Sequence, residues 1–381
     1  MIRPDVRPEL LRWARRRANL SSEALSRRFP KLSEWERGDS KPTLKQLEAL
    51  AKATSAPLGY FFLAEPPVET LPIPDFRSGR KGKAGHPSPN LLDTVYLCQQ
   101  RQSWYHDYAR AVGEEVRPFV GSLTLRTSIE SAANKIRDTL GFDLAARRKC
   151  PTWEDALRQF VAKADALGIL VMCSGIVLNN THRKLDPNEF RGFAITDDLA
   201  PLVFINGADT KSAQMFTLAH ELGHLWLGRS ALDDANPSST DSEGAERWCN
   251  DVAAELLVPR KVLEREYDPA AELHGEMLRH ARRFKVSTLV ILRRIFDAGG
   301  LTRKQFREAY AAELARLPQR TGKSGGDFYR TEAARVSKRF ATALIANTLE
   351  GQTLYRDAYR MLGISKSKTF DELGRHLQFN I

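Results

Sequence analysis

The chain has 381 residues, of which 42% are apolar and 28% charged, an ordinary soluble globular composition with length enough for more than one domain. Its formal net charge of +11 favours polyanionic partners through counterion release, and favours solubility as well. Four widely spaced cysteines, Cys98, Cys150, Cys173 and Cys249, exclude a disulfide framework or a C-x-x-C zinc knuckle, and no signal-like opening or run near ~20 apolar residues argues for a membrane, so a cytoplasmic protein is expected.

The first 65 residues carry short helical patterns. Leu10, Leu11, Trp13 and Ala14 open an amphipathic helix, and Leu20-Ser21-Ser22-Glu23 is a capped helix start. Trp35-Glu36-Arg37-Gly38 then precedes a further helix from Lys41-Pro42-Thr43-Leu44 to Ala51. This arrangement resembles the Cro/repressor (XRE) type of helix-turn-helix domain, most closely in its C-terminal half. Between Ala24 and Trp35 it departs from that pattern, with less chain than such a domain uses to complete its second helix, turn and recognition helix. Arg27, Arg28, Lys31, Ser33, Glu34 and Arg37 are the candidates for phosphate or base contact, the alternative being a helical bundle that docks on protein. Basic clusters at Arg15-Arg16-Arg17 and Arg80-Lys81-Gly82-Lys83 add to the DNA-binding reading.

Pro66 to Pro89, rich in Pro, Gly and basic residues, has linker composition. Leu91 to Val112 has helical spacing, and its aromatics Tyr96, Trp104, Tyr105 and Tyr108 fit a core better than a base-stacking surface. Helices are predicted near Ser128 to Leu140 and Thr152 to Leu167, followed by strands at Gly168 to Cys173, Phe190 to Thr196 and Pro201 to Asn206.

The next helix contains Phe216-Thr217-Leu218-Ala219-His220-Glu221-Leu222-Gly223-His224, an H-E-x-x-H motif inside an apolar pattern. Positions i and i+4 share a helix face, so His220 and His224 can place ring nitrogens on one metal ion. Glu221 projects beside that face and is placed to take a proton from an attacking water. Burying two histidines and a glutamate requires compensation, and a metal supplies it, whereas hydrogen-bonded core histidines are the plain alternative. A catalytic zinc site needs a third protein ligand. Gly244 to Leu257 is predicted to be a second helix stopped by Pro259, with Glu246 and Asn250 one turn apart. Glu246 can ligate, and Asn250 can accept a hydrogen bond from a ligating histidine and fix its tautomer. Glu255 is the rival ligand and Glu243 a weaker one. Cys249 fits a small buried thiol.

These residues, with Arg191-Gly192-Phe193-Ala194, Pro201 to Asn206 and the ending Ala253-Ala254-Glu255-Leu256-Leu257-Val258-Pro259, resemble the ImmA/IrrE family of metallopeptidases over roughly residues 165 to 298. The resemblance implies a gluzincin-like core with Zn2+ held by His220, His224 and Glu246 and with Glu221 as the catalytic carboxylate. It further implies cleavage of one specific protein, commonly a helix-turn-helix repressor, in a stress or mobile-element response. An oxyanion stabiliser is not assigned; His274, His280 and Tyr267 are candidates with equally plain packing roles.

Helices are expected again at Ala271 to Phe284, Ser287 to Ala298 and Thr302 to Leu317, with Arg293 and Arg294 on a solvated face. Residues 318–327 contain Gly-Lys-Ser without the spacing of a phosphate loop and have the composition of a flexible joint. The tail from Phe328 is amphipathic helix, including Arg339 to Leu344 and Leu354 to Leu362. The expected fold is therefore mainly α with an α+β gluzincin-like core. Its expected divisions are 1–65 (helix-turn-helix), 66–122 (linker and connector), 123–298 (peptidase) and 299–381 (helical C-terminal region). The leading expectation is a zinc endopeptidase specific for a regulatory protein encoded nearby. The other is a DNA-binding transcriptional regulator, or the antitoxin of a toxin–antitoxin pair.

Overall fold

The computed structural model describes residues 2–73, 87–232, 244–316 and 333–380. The chain divides into two compact units, one of residues 1–72 with 82–96 and one of residues 73–81 with 97–381. Among the described residues no helix is long and apolar enough to cross a membrane.

The first unit holds α1 (Pro8–Arg17), α2 (Ser22–Ser26), α3 (Leu32–Arg37), α4 (Leu44–Thr54) and a 3-10 turn at Leu58–Phe62. Its core gathers Leu11, Ala14, Leu25, Phe29, Leu32, Trp35, Leu47, Leu50 and Phe61. Local chemistry sets the boundaries. Ser21 accepts a hydrogen bond from Ala24 N, and Thr43 and Gln46 form a capping box at the start of α4. Gly38, with φ of 89°, ends α3 in the left-handed conformation that glycine adopts without cost. The short interval noted in the sequence becomes two helices of five and six residues. Glu36 is buried among these helices and held by Arg15 at 2.6 and 3.1 Å.

α5 (Pro89–Ala111) belongs to the first unit as far as Tyr96 and to the second from Leu97. In the second unit follow α6 (Ile129–Leu140), α7 (Leu144–Arg148), α8 (Trp153–Ala166), β1 (Leu170–Ser174), β2 (Gly192–Ile195) and β3 (Leu202–Asn206). Then come α9 (Lys211–Leu227), β4 (Ala231–Leu232), α10 (Gly244–Leu257), α11 (Arg260–Glu266), α12 (Leu273–Phe284), α13 (Thr288–Asp297) and α14 (Arg303–Arg316). Three helices close the chain, α15 (Lys338–Leu349), α16 (Tyr355–Leu362) and α17 (Ser367–His376). The pieces that periodicity does not reveal are the short ones. β4 has two residues, and α7 has five, started by an Asp143 cap on Ala146 N.

The sheet order is β1-β3-β2-β4, with β1 and β3 parallel and β2 antiparallel to both β3 and β4. Strand alternation sends Val171, Val203, Ile205 and Ala194 into the core shared with Leu218, Leu222, Leu225 and Phe160 of α9 and α8. Phe193, Phe204 and Met172 occupy the opposite face: the two rings stack at 5.0 Å and Met172 Sδ lies 3.9 Å from Cys98 Sγ of α5. That face is covered in part by α15, which lies against β1. A small mixed sheet with helices on both sides therefore seats α9, and α9 packs in turn on α10.

One expectation about a side chain is corrected. Arg293 is exposed and paired with Asp297 at 2.9 Å, but Arg294 is buried, donating to the Val258 carbonyl at 2.8 Å and pairing with Glu255. The Gly-Lys-Ser joint at 318–327, the Arg80 to Lys83 cluster and Glu243 lie outside the described residues.

Candidate metal centre

α9 begins at Thr210, whose hydroxyl accepts from Ala213 N, and ends at Gly228, which has φ of 67°. From Gln214 to Trp226 every residue but Phe216 is buried, so this helix is apolar almost all round, as a helix inside a core must be. His220, Glu221 and His224 are fully buried in it. Charged and polar groups held there need partners of their own kind.

α10 brings those partners across. Gly223 sits between the two histidines, and a Cβ on it would lie only 3.2–3.4 Å from Cys249 Sγ, Cβ and Cα. A glycine on one helix against a small cysteine on the other lets the two backbones approach closely. Glu246, 4% exposed, thereby reaches both rings: its carboxylate oxygens lie 3.2 Å from His220 Nε2 and 3.1 Å from His224 Nε2. The two Nε2 atoms are 3.1 Å apart. Asn250, one turn along α10, has its Oδ1 3.1 Å from His220 Nδ1. An amide oxygen only accepts, so this contact puts the proton on Nδ1 and leaves the Nε2 lone pair facing the group.

The three donors fit a zinc ion. Two atoms bound at ~2.0–2.1 Å to one tetrahedral zinc stand about 3.3 Å apart, close to the separations found here. Glu246 Oε1 is buried with no hydrogen bond of good geometry, although it faces His224 Nε2 at 3.1 Å. Buried donor atoms crowded this closely are what a cation satisfies. Charge states agree with this. Burial pushes the His224 imidazole below its ordinary pKa, favouring the neutral ring. Burial acts to raise the Glu246 carboxyl, but the adjoining His220 and His224 rings outweigh it and hold the group well below the usual carboxylate range. A neutral His224 and an ionised Glu246 are forms that ligate a metal, and without one, protons on the rings offset the carboxylate.

The far end of α10 is fixed by arginines from three other helices. Arg137 of α6 donates to the Glu255 and Leu256 carbonyls at 2.9 and 3.3 Å, Arg147 of α7 to the Leu257 carbonyl, and Arg294 of α13 to Val258. These cations take up carbonyls that a helix C-terminus leaves unsatisfied and face the negative end of its dipole. Glu255 is used here, accepting from Arg260 N at 3.2–3.3 Å besides pairing with Arg294, and stands outside the His220, His224 and Glu246 group. The rival ligand of the sequence reading thus has a structural partner set.

Other sequence candidates lie elsewhere. His280 Nε2 faces Glu276 at 3.3 Å, and His274 Nδ1 faces Glu313 at 3.2 Å. In the first unit Arg27, Arg28, Lys31, Ser33 and Arg37 are all exposed, along the turn between α2 and α3 and on α3 itself. Arg37 pairs with Asp39 at 2.7 Å, and the Arg28 guanidinium lies over the Phe29 ring. Sequence reasoning gave no positioning role to Gly192, Gly223, Thr217, Arg137 or Arg147, and put Arg294 on a solvated face. The available signals were a glycine inside a strand and a glycine inside a helix, both of which mark close approach.

Comparison with known families gives two matches. Residues 336–376 match a domain of unknown function, DUF8813. No curated protein matches the chain. Residues 164–296, which contain β1 to β4, α9, α10 and the whole His220, His224 and Glu246 group, match the Peptidase M78 family model, the IrrE N-terminal-like domain, so this stretch is similar to the metallopeptidase domain of the ImmA/IrrE family.

Proposed function

We propose that the chain is a zinc-dependent endopeptidase that cuts one regulatory protein, with His220, His224 and Glu246 as the metal ligands and Glu221 as the proton carrier. The observation that carries this reading is the convergence, within 3.1–3.2 Å, of two Nε2 atoms from α9, the helix that also bears Glu221, and one carboxylate from α10. Zinc held there supplies Lewis acidity, polarising a carbonyl oxygen and lowering the pKa of water to ~7. The protein residues do the rest. Asn250 orients His220 through its Nδ1 proton. The Glu221 carboxylate accepts the proton of the attacking water and delivers it to the departing amine nitrogen, so that one residue serves as base and then as acid. The complete burial of Glu221 keeps that transfer in a low dielectric.

A protein substrate, and specifically a helix-turn-helix repressor, is the class that the resemblance to ImmA/IrrE peptidases supports. Arg27, Arg28, Lys31, Ser33 and Arg37, exposed on the first unit, are the residues proposed to bring the enzyme to DNA carrying such a target.

The test measures zinc in the purified wild type and in Glu221→Gln, then incubates each with the repressor encoded beside it and maps any cut by mass spectrometry. One zinc per chain is expected in both proteins, with Glu221→Gln slower by roughly 10²–10⁴-fold. Wild-type protein without zinc, or equal cutting by both, overturns the reading.

A further inference from the structure

Gly192 is the first residue of β2, buried and paired with Ile205 of β3. Its φ is not in the left-handed region, so an ordinary L residue meets no backbone strain there. What it lacks is room for a side chain. A Cβ at this position would lie 2.4 Å from Thr217 Cγ2, 2.7 Å from the Phe204 carbonyl oxygen and 3.1 Å from Glu221 Oε1. Thr217 and Glu221 are one turn apart on α9, so both project from one helix face onto this point of the strand.

We propose that Gly192 is a positioning residue for Glu221: the missing side chain opens a slot between β2 and α9 in which the carboxylate is held beside the histidines. The three neighbours differ in how they can yield. The Phe204 oxygen is backbone in the sheet and moves only if β2 and β3 part. The Thr217 methyl is short and anchored on the helix. The Glu221 carboxylate, at the longest of the three distances, ends a flexible side chain, and once the Thr217 methyl is removed it is the side-chain group left to turn aside when the slot is filled. A methyl group at 192 therefore acts on the geometry of Glu221 without touching a proposed metal ligand. The functional meaning of the slot rests on Glu221 being the proton carrier; its existence does not.

The test is a double-mutant cycle of Gly192→Ala and Glu221→Ala in a Thr217→Ser background, which removes the closest methyl, read as thermal midpoint on metal-free protein. Gly192→Ala is expected to lower the midpoint, and Glu221→Ala to recover roughly 2–4 °C of that loss. An additive cycle overturns the slot. Should Gly192→Ala fail to fold, recovery of folding by Glu221→Ala supports the slot and failure in both backgrounds overturns it. The second readout is the visible spectrum of protein loaded with cobalt(II). One ion per chain is expected in Gly192→Ala, with a spectrum displaced in the same sense as that of Glu221→Gln, whereas a parental spectrum overturns the link to the metal centre. The cycle needs neither metal nor substrate, so cobalt bound by no variant counts against the peptidase reading alone.

Discussion

As a proposed metal ligand, the His220 ring makes two demands on its surroundings, a proton acceptor at Nδ1 and a cation at Nε2. Asn250 meets the first at 3.1 Å, which makes it the residue that decides which nitrogen is free. Replacing it with leucine leaves a buried N–H without a partner and allows the other tautomer, in which the Nε2 proton points into the ligand group. Asn250→Leu is therefore expected to weaken zinc binding by roughly 10–100-fold, measured by chelator competition, while Asn250→Asp retains an acceptor and binds at least as well as wild type. Wild-type affinity in Asn250→Leu defeats this assignment. The Asn250 contact was legible from sequence because an i, i+4 spacing on a helix is a fixed geometry. Arg294 was not. Helical periodicity placed it beside Arg293 on a wet face, and its partners Glu255 and Val258 lie 39 and 36 residues earlier, beyond the reach of any local pattern.

At the scale of elements, the site is a contact between two helices, and its spacing is set by what is small on each. Gly223 in the middle of α9 is poor for helix formation by about 1 kcal/mol relative to alanine. An alanine there gains that propensity but places a methyl group 3.3–3.4 Å from Cys249 Cβ and Cα, and overpacking a tight core costs about 1–3 kcal/mol. Since the Cys249 Cα belongs to the backbone of α10, relief requires moving that helix, and the arginines at its C-terminal end resist the shift. Gly223→Ala is expected to lower the melting temperature and to loosen zinc together, because Glu246 rides on α10. Adding Cys249→Ala removes only the Sγ contact and should recover part of each loss. A Gly223→Ala protein with unchanged melting temperature and unchanged zinc affinity shows that the approach of the helices does not set the site. Gly223 stands inside the motif and was still overlooked as a packing residue, since its role depends on Cys249 opposite it. The helices that carry the proposed ligands were legible because α10 has a 3.6-residue apolar pattern stopped at Pro259, and α9 sets the H-E-x-x-H spacing in a long apolar run.

The whole second unit is one layered body, and its C-terminal helices are one of the layers. Ser337 donates to Asp165 at 2.8 Å, Arg339 donates to the Tyr105 hydroxyl at 2.6 Å and pairs with Glu114 at 2.9 Å, and Phe340 packs edge-on against Trp104. Further along, Arg101 donates to the Met361 carbonyl at 2.9 Å and Asn179 to the Gly363 carbonyl at 2.8 Å. These contacts run from the segment that matches a domain of unknown function to α5, α8 and the loop after β1, all within the unit that holds the metal centre. Phe340, Leu344, Ile345, Leu362, Phe370 and Leu373 are buried, and fully burying each such side chain contributes about 1.5–3 kcal/mol. The six together contribute about 9–18 kcal/mol, as much as a typical net stability of about 5–15 kcal/mol. A chain ending at residue 332 is therefore expected to lose near-ultraviolet circular dichroism, bind a hydrophobic dye and lose its zinc, rather than behave as an enzyme freed of a regulator. A truncated protein that melts cooperatively at the wild-type temperature and keeps one zinc defeats this view and makes the C-terminal helices an accessory module. The structure favours the first outcome because α15 packs on β1 of the sheet that seats α9, so the layer that completes the core also holds a strand of that sheet.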